Sequence, residues 1–137
     1  DLCSVPYAIT YFYNVYGGRE NSDGEYATVV AKFLNRHHMN KKLHVTKPGT
    51  QTRNFTYIDD TINALKIIAE KGTGDEYGIA NPNAYSIDEV AKLISNNIEY
   101  VKENPANRMS SQVVTKKILD LGWKPRQELS DYIKNNL

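Results

Sequence analysis

The run from Tyr7 to Tyr13 constrains the fold more than any other segment of the chain. It reads Tyr-Ala-Ile-Thr-Tyr-Phe-Tyr, so β-branched and aromatic side chains follow one another without polar alternation. Such a run is typical of a strand that is covered on both faces, as in a parallel α/β sheet. The segment from Asn14 to Gly18 ends this strand, and a polar loop over 19–25 follows it. We therefore expect the chain to open in a buried strand.

Apolar residues recur at helical spacing in the segments that follow. Lys41 and Lys42 are expected to close the first helix, where positive charge meets the negative end of the helix dipole. Asp59 and Asp60 lie at the expected N-cap of the second helix, which stops at Gly72. The third helix begins at a capping box from Ser86 to Glu89. The expected buried faces are Ala27, Val30, Ala31 and Leu34, then Ile62, Leu65, Ile68 and Ala69, then Ile87, Val90, Ala91, Leu93 and Ile94.

Short strands separate these helices. The sequence predicts strands at 43–46, 55–58, 77–80 and 98–101, and shorter helices at 115–121 and 129–137. Because strands and helices alternate, the predicted class is α/β, or α+β if the short strands pair locally.

Charge and cysteine content exclude several classes of partner. Lys and Arg number 17 against 16 for Asp and Glu, a net charge of +1, whereas proteins that coat nucleic acid or bind anionic membranes work by charge excess. No apolar run reaches the roughly 18 residues of a membrane span. The only cysteine, Cys3, has no internal disulfide partner, and neither it nor the pair His37-His38 has zinc-ligand spacing. We expect no nucleic acid, no membrane and no metal.

Catalytic motifs are also missing from the sequence. The segment from Gly72 to Gly74 follows a helix and precedes a strand, so it predicts a helix end and a turn, not a phosphate-binding loop. No tyrosine is followed by lysine four residues on, and no Gly-x-Ser-x-Gly elbow occurs. We predict no catalytic residue in this chain.

A set of candidate anion-binding residues remains. Arg53 and Arg108 lie in loops that are rich in small polar residues, and a planar guanidinium suits bidentate phosphate recognition. Either arginine alone is also compatible with a solvated or ion-paired side chain. Asn14 follows a strand, where open α/β sheets place ligand contacts. It also suits a turn with left-handed backbone geometry.

Several segments resemble extended short-chain dehydrogenases/reductases that act on sugar nucleotides. Residues 49–60, Gly-Thr-Gln-Thr-Arg-Asn-Phe-Thr-Tyr-Ile-Asp-Asp, are similar to the family's G-T-Q-T-R-D-F-T-Y-V-D-D. Residues 13–20 resemble its F-N-V-Y-G-P-R segment, and residues 76–80 its Y-N-I-G strand. Ser86 to Glu89 then resembles S-I-x-E, and Arg108 with residues 121–125 its closing R … L-G-W-x-P. Order and spacing hold from about Val5 to the end of the chain.

The resemblance implies a division of the chain and a function. Residues 1–20 would be the terminal strand and loop of a Rossmann domain, and residues 21–137 a lobe that binds a nucleoside-diphosphate sugar. The family includes UDP-glucose 4-epimerases, nucleotide-sugar 4,6-dehydratases and UDP-glucuronate decarboxylases. Its NAD fingerprint and Tyr-x-x-x-Lys pair would lie before Asp1, so we expect NAD to be held mainly outside this chain and the chain alone to be inactive. A homodimeric parent and a cytoplasmic location are also implied.

The same resemblance implies a role for individual residues. Asn14 would bond to the diphosphate or the sugar, and Arg53 and Arg108 would clamp the diphosphate. Contacts with the nicotinamide, the hexose and the nucleobase complete the implied set: Phe12 at the cofactor, Tyr13 beside the hexose, and Val29, Val45 and Thr46 at the base.

Four positions depart from the family pattern. The family usually has Arg at Tyr11, Pro at Gly18, an aromatic residue at Thr46 and Asp at Asn54. Thr46 matters most, because an aromatic ring there would offer the base a stacking surface worth about 1–3 kcal/mol.

The most strongly indicated function is therefore substrate binding in an NAD-dependent 4-epimerase, which removes hydride from C4 of the hexose and returns it. Dehydration or decarboxylation within the same family is the alternative. A second alternative is a non-catalytic module that binds RNA or a protein through residues 36–42 and the tyrosines. We also expect the first strand to form an exposed apolar edge when the chain is alone, causing slow folding or dimerisation.

Overall fold

The computed structural model describes residues 5–102, 109–110 and 112–137. Strands and helices alternate along these residues. In chain order they are β1 (Ala8–Phe12), β2 (Val15–Tyr16), α1 (Val29–His38), β3 (Leu43–Thr46), β4 (Thr52–Asn54), β5 (Thr56–Tyr57), α2 (Ile58–Lys71), β6 (Gly74–Ile79), β7 (Ala84–Ser86), α3 (Ile87–Ile94), β8 (Ile98–Val101), α4 (Lys116–Asp120) and α5 (Leu129–Lys134).

The strands form pairs between segments that are distant in sequence. β1 pairs with β6, β2 with β5, and β3 with β8, all parallel, while β4 pairs with β7 in the antiparallel sense. Helices lie in the connections of the parallel pairs, as parallel pairing requires. The predicted α/β class is confirmed.

Helix α1 differs from its prediction at both ends. It begins at Val29 after an N-cap at Thr28, whose Oγ1 accepts a hydrogen bond from Ala31 N at 3.4 Å. Ala27 therefore precedes the helix. The cations in the last turn are Arg36, His37 and His38, and Asn40 has φ 55°. The prediction that Lys41 and Lys42 close the helix was wrong, because the chain has already left helical geometry before them.

Helix α2 has the predicted period but a different buried face. Its N-cap is Tyr57, and Asp59 and Asp60 lie in the first turn, so the predicted N-cap was wrong. The buried residues are Asp60, Thr61, Ala64 and Ile68. Of the predicted core residues, Ile62 is 42% and Leu65 37% exposed, and Ala69 is also exposed. Strand β5 runs directly into α2. The position of this strand, and not the apolar content of the helix, therefore sets which face of α2 is buried.

Helix α3 matches its prediction closely. The capping box is present: Ser86 Oγ accepts from Glu89 N at 3.1 Å, and Glu89 Oε2 accepts from Ser86 N at 2.7 Å. These bonds to the Glu89 carboxylate hold its pKa below the ordinary value. Ile87, Val90, Ala91 and Ile94 are buried as predicted, and Leu93 is half-buried.

Two apolar cores organise the described residues. One is built from α1, β3, α3 and α5, with Leu43, Val45 and Ile133 at 0% exposure. The other joins α2, β6 and α4 around Ile79 and Ile118, and Trp123 closes it. The predicted boundary between residues 20 and 21 stays a prediction. In the structure, strand pairing and the second core join residues 8–12, before that boundary, to residues 74–79, after it.

Strand β1 is more exposed than its composition indicates. Ile9, Tyr11 and Phe12 are 42%, 44% and 54% exposed, so within the described residues the prediction of a strand covered on both faces was wrong. β6 is the one described strand that pairs with it. The other edge of β1 and its apolar side chains therefore form a surface that another strand can extend.

We expect Ile9→Lys to reduce self-association of this chain, because a charged residue on an edge strand opposes strand addition. Sedimentation velocity over a concentration series measures the effect. Tyr26→Lys is the matched control, since Tyr26 is 86% exposed but lies outside the strands. A wild-type chain that stays monomeric at all concentrations would contradict this expectation.

Candidate functional site

A groove of about 730 Å³ lies between α1, the end of β3 and the loop that leads into β4. Of the predicted site residues, Asn14, Val29, Thr46 and Arg53 line it. These residues come from four separate segments of the chain, and the fold brings them to one concave surface. Concave sites of this volume are the usual location of small-molecule binding.

Asn14 turns the chain into the groove from β1. Its φ is 39°, so the left-handed turn geometry that the sequence offered as an alternative for Asn14 is present. Its Nδ2 donates to the Asn54 carbonyl oxygen at 3.1 Å, and its own carbonyl accepts from Thr56 N at 3.2 Å. This arrangement ties β2 to β5 and places the exposed Asn14 side chain at the groove wall.

Arg53 reaches the groove from β4. Strand alternation places it on the face opposite Asn54, whose Nδ2 is buried and donates to Asn81 O at 2.8 Å. The half-buried Arg53 side chain donates from Nη1 to the Thr52 carbonyl oxygen at 2.7 Å. No described carboxylate forms a salt bridge with it. Its charge is thus available to an anionic ligand.

The end of β3 offers backbone groups to the groove at Thr46 but not at Val45. Leu43 N donates to Asn97 O at 2.8 Å and Lys47 N to Val101 O at 3.1 Å, so these two residues face β8. Peptide groups alternate along a strand, so Val45 also faces β8, and its side chain is fully buried. The peptide groups of Thr46 point away from β8, and Thr46 lines the groove. Its carbonyl oxygen accepts a hydrogen bond from Gln51 Nε2 at 3.1 Å.

The remaining predicted residues lie elsewhere. Tyr13 is half-buried, and its ring packs against Gly78, where an added Cβ would lie 3.2 Å from Tyr13 Cε2. Phe12 is exposed at the end of β1. Neither residue lines the groove. Arg108 lies outside the described residues.

From the sequence, Arg36 and Lys41 were expected only in the alternative RNA- or protein-binding module, and Lys32 and His44 were missed. Lys32 and Arg36 lie one helical turn apart on α1, and Lys41 and His44 follow them at the rim. Arg36 Nη2 and His44 Nε2 are 2.7 Å apart. The spacing of Lys32 and Arg36 was a usable signal, because residues at i and i+4 share a helix face.

Positive charge exceeds negative charge along this surface. The lining contains four Lys or Arg side chains and two carboxylates, Glu20 and Asp23. None of the four cations forms a salt bridge with a described carboxylate. Glu20 accepts a short hydrogen bond from Thr28 Oγ1, and burial raises the pKa of its carboxyl group. A groove whose cations have no described carboxylate partner suits a small anion.

The described helices include none that is long and apolar enough to cross a membrane. In the same part of the chain, no three His, Cys, Asp or Glu residues come together to hold a metal ion.

The fold is α/β, and the groove lining carries more positive than negative side chains. The family model described as "NAD dependent epimerase/dehydratase family" matches residues 2–81. The chain belongs to that family.

Relatives in the family carry out different reactions. The chain is 30% identical over 146 residues to human dTDP-D-glucose 4,6-dehydratase, a match that covers 96% of this chain and 41% of the relative. It is 32% identical to UDP-glucuronic acid decarboxylase 5 of Arabidopsis thaliana, over 90% of this chain and 38% of the relative. The chain thus spans about two fifths of the length of these curated relatives.

A solved structure shows the same fold. It is the UDP-glucose 4-epimerase of Thermotoga maritima with UDP-glucose, which matches with a TM-score of 0.87 and 26% sequence identity, over 95% of this chain and 44% of that chain. The resemblance recognised in the sequence is therefore confirmed at the level of the family.

Proposed function

We propose that this chain is the nucleotide-sugar-binding part of an NAD-dependent enzyme. The observation that carries the proposal is the convergence of Asn14, Thr46 and Arg53 on one groove whose cations have no described carboxylate partner. A nucleoside diphosphate has a dianionic diphosphate at one end and a planar base with polar edges at the other. Both features have counterparts in this groove.

Arg53 would bind the diphosphate, and Arg108 would complete the clamp. A guanidinium donates two parallel hydrogen bonds to a phosphate group. Asn14 would hold the sugar side of the diphosphate. Val29 would pack against the base, while the peptide groups of Thr46 bond to its edge. Fixing the diphosphate in this way directs the sugar toward the reacting centre, so binding energy from the nucleotide assists the chemical step.

The reaction we favour is 4-epimerisation of the hexose. NAD, when bound, would supply the hydride acceptor and donor for this reaction. Among the described residues Phe12 is the one predicted cofactor contact, and its exposed ring can flank a nicotinamide but cannot bind phosphates. Within that range no glycine-rich turn joins a strand to a helix in the manner of a dinucleotide site. Other parts of a longer protein would have to hold NAD, and this chain would supply substrate contacts only.

Dehydration or decarboxylation is the second candidate reaction. It is favoured by the 30–32% identity to a dTDP-D-glucose 4,6-dehydratase and a UDP-glucuronic acid decarboxylase. The nucleotide groove serves all three reactions equally, because each begins with oxidation at C4 of a bound hexose.

Product analysis by NMR on the full-length protein with NAD separates these reactions. UDP-glucose, UDP-N-acetylglucosamine, dTDP-glucose and UDP-glucuronate are offered in turn. An epimerase gives a mixture of 4-epimers, a dehydratase a 4-keto-6-deoxy sugar, and a decarboxylase a UDP-pentose with CO2. Absence of conversion together with absence of UDP binding would reject the proposal.

We also propose that the whole enzyme is a cytoplasmic homodimer.

The residue at position 46 gives a direct test of base stacking. We expect Thr46→Phe to strengthen UDP binding about fivefold or more, because stacking on an aromatic ring is worth about 1–3 kcal/mol. Isothermal titration calorimetry measures the change. Thr50→Phe is the matched control, since Thr50 is exposed and lies outside the groove lining. Unchanged or weaker UDP binding in Thr46→Phe would place the base elsewhere.

A further inference from the structure

Gln51 presents a buried polar atom without a partner. The residue is 3% exposed and lines the groove. Its Nε2 donates to the Thr46 carbonyl oxygen at 3.1 Å, whereas its Oε1 has no hydrogen-bond partner among the described residues. Within the described part of the chain, this oxygen is the one buried side-chain polar atom in that condition. Such groups are rare in folded proteins because their desolvation is not compensated.

The backbone around Gln51 holds this side chain in place. The Gln51 carbonyl accepts from Ile87 N at 3.1 Å, and the Gly49 carbonyl accepts from Asp88 N at 2.9 Å. Gly49 has φ 83°, a backbone conformation that residues other than glycine rarely adopt. A Cβ added at this position would also collide with the Asp88 carboxylate. The loop is therefore fixed against the start of α3, which holds the Gln51 backbone in place beside the groove.

The orientation of the amide decides what it can recognise. Because Nε2 is bound to Thr46, the free group of Gln51 is an acceptor and requires an N–H donor. The Thr46 peptide lies beside it on the outward edge of β3. Gln51 lines the groove, and the terminal torsion of a glutamine is soft, so a small rotation can turn its buried oxygen toward a ligand in the groove.

We propose that Gln51 is a specificity-determining residue whose Oε1 accepts the imide N–H of a uracil or thymine base. This inference rests on the proposed nucleotide-binding function. Cytosine has an acceptor nitrogen at the corresponding ring position, so it would face the Gln51 oxygen with like polarity. The site would then select uridine and thymidine nucleotides against cytidine nucleotides, independently of the arginines that bind the diphosphate.

The test compares UDP with CDP on the full-length protein by calorimetry. We expect wild-type protein to bind UDP at least tenfold more tightly than CDP, and Gln51→Met to reduce that preference to less than threefold. Gln112→Met, at an exposed glutamine outside the groove lining, should keep the wild-type preference. A purely structural role for Gln51 would weaken both nucleotides equally and leave the preference intact, which would overturn the proposal.

A second measurement needs no variant. Wild-type protein should bind 3-methyluridine 5′-diphosphate, which lacks the imide N–H, at least tenfold more weakly than UDP. Equal affinity would overturn the role of Gln51 while leaving the nucleotide groove standing. If neither UDP nor CDP binds, the proposed function itself has failed.

Discussion

Arg53→Ala is expected to weaken UDP binding to the full-length protein by at least tenfold. A hydrogen bond to a charged group contributes about 1.5–3 kcal/mol, and the Arg53 guanidinium has no described carboxylate to compete with the diphosphate. Its side-chain hydrogen bond within the described residues, to the Thr52 carbonyl oxygen, orients the side chain without neutralising it. Isothermal titration calorimetry with UDP gives the affinity.

Two further variants separate charge from geometry at this position. Arg53→Lys keeps the charge but loses the planar pair of donors, so an intermediate loss of about fivefold is expected. Arg126→Ala is the control, because Arg126 is exposed and lies outside the groove lining. Wild-type UDP affinity in Arg53→Ala would remove Arg53 from the site.

Asp60→Ala is expected to lower the free energy of unfolding by about 3 kcal/mol. Asp60 is 3% exposed, and its Oδ2 accepts hydrogen bonds from Arg126 N at 2.9 Å and Gln127 N at 3.0 Å. The Asp60 carbonyl also accepts from Trp123 Nε1 at 2.9 Å. Truncation of the side chain leaves two backbone donors without their charged acceptor, and each such loss costs about 1–3 kcal/mol.

Urea denaturation of the full-length protein measures this change. Asp59→Ala is the matched control: the residue lies in the same turn of α2 but is exposed, so its effect should stay within about 0.5 kcal/mol. Asp60→Asn keeps one acceptor oxygen, so its loss of unfolding free energy should lie between those of Asp59→Ala and Asp60→Ala. Equal stabilities for the Asp59 and Asp60 variants would show that Asp60 does not hold the segment from Trp123 to Gln127.

The fold was predictable where local patterns dominate. β3 (Leu43–Thr46) and β8 (Ile98–Val101) lie where the sequence placed them, and the capping box fixed the start of α3. The prediction failed where two- or three-residue strands decide the geometry. β2, β4, β5 and β7 are too short to show a period, and their partners are far away in sequence. Because β5 runs directly into α2, these contacts also set which face of α2 is buried.

The site was predictable mainly through resemblance to a family. Asn14, Val29, Thr46 and Arg53 meet in the groove, although nothing in their individual patterns relates four separate segments. Gln51 was missed because its importance lies in an unpaired oxygen, which only the arrangement of neighbouring groups reveals. Val45 was predicted to contact the base but does not line the groove. A position in a strand does not by itself show which neighbouring strand or surface its peptide groups face.

The location of a bound nucleotide tests the central claim most directly. The full-length protein is photolabelled with 5-azido-UDP-glucose, with and without excess UDP, and the labelled peptides are identified by mass spectrometry. We predict UDP-protected labelling in the peptides that contain Val29 and Thr46, the two residues assigned to the base. UDP-protected labelling confined to other peptides, or no protection by UDP, would contradict the assignment of this groove as the nucleotide site.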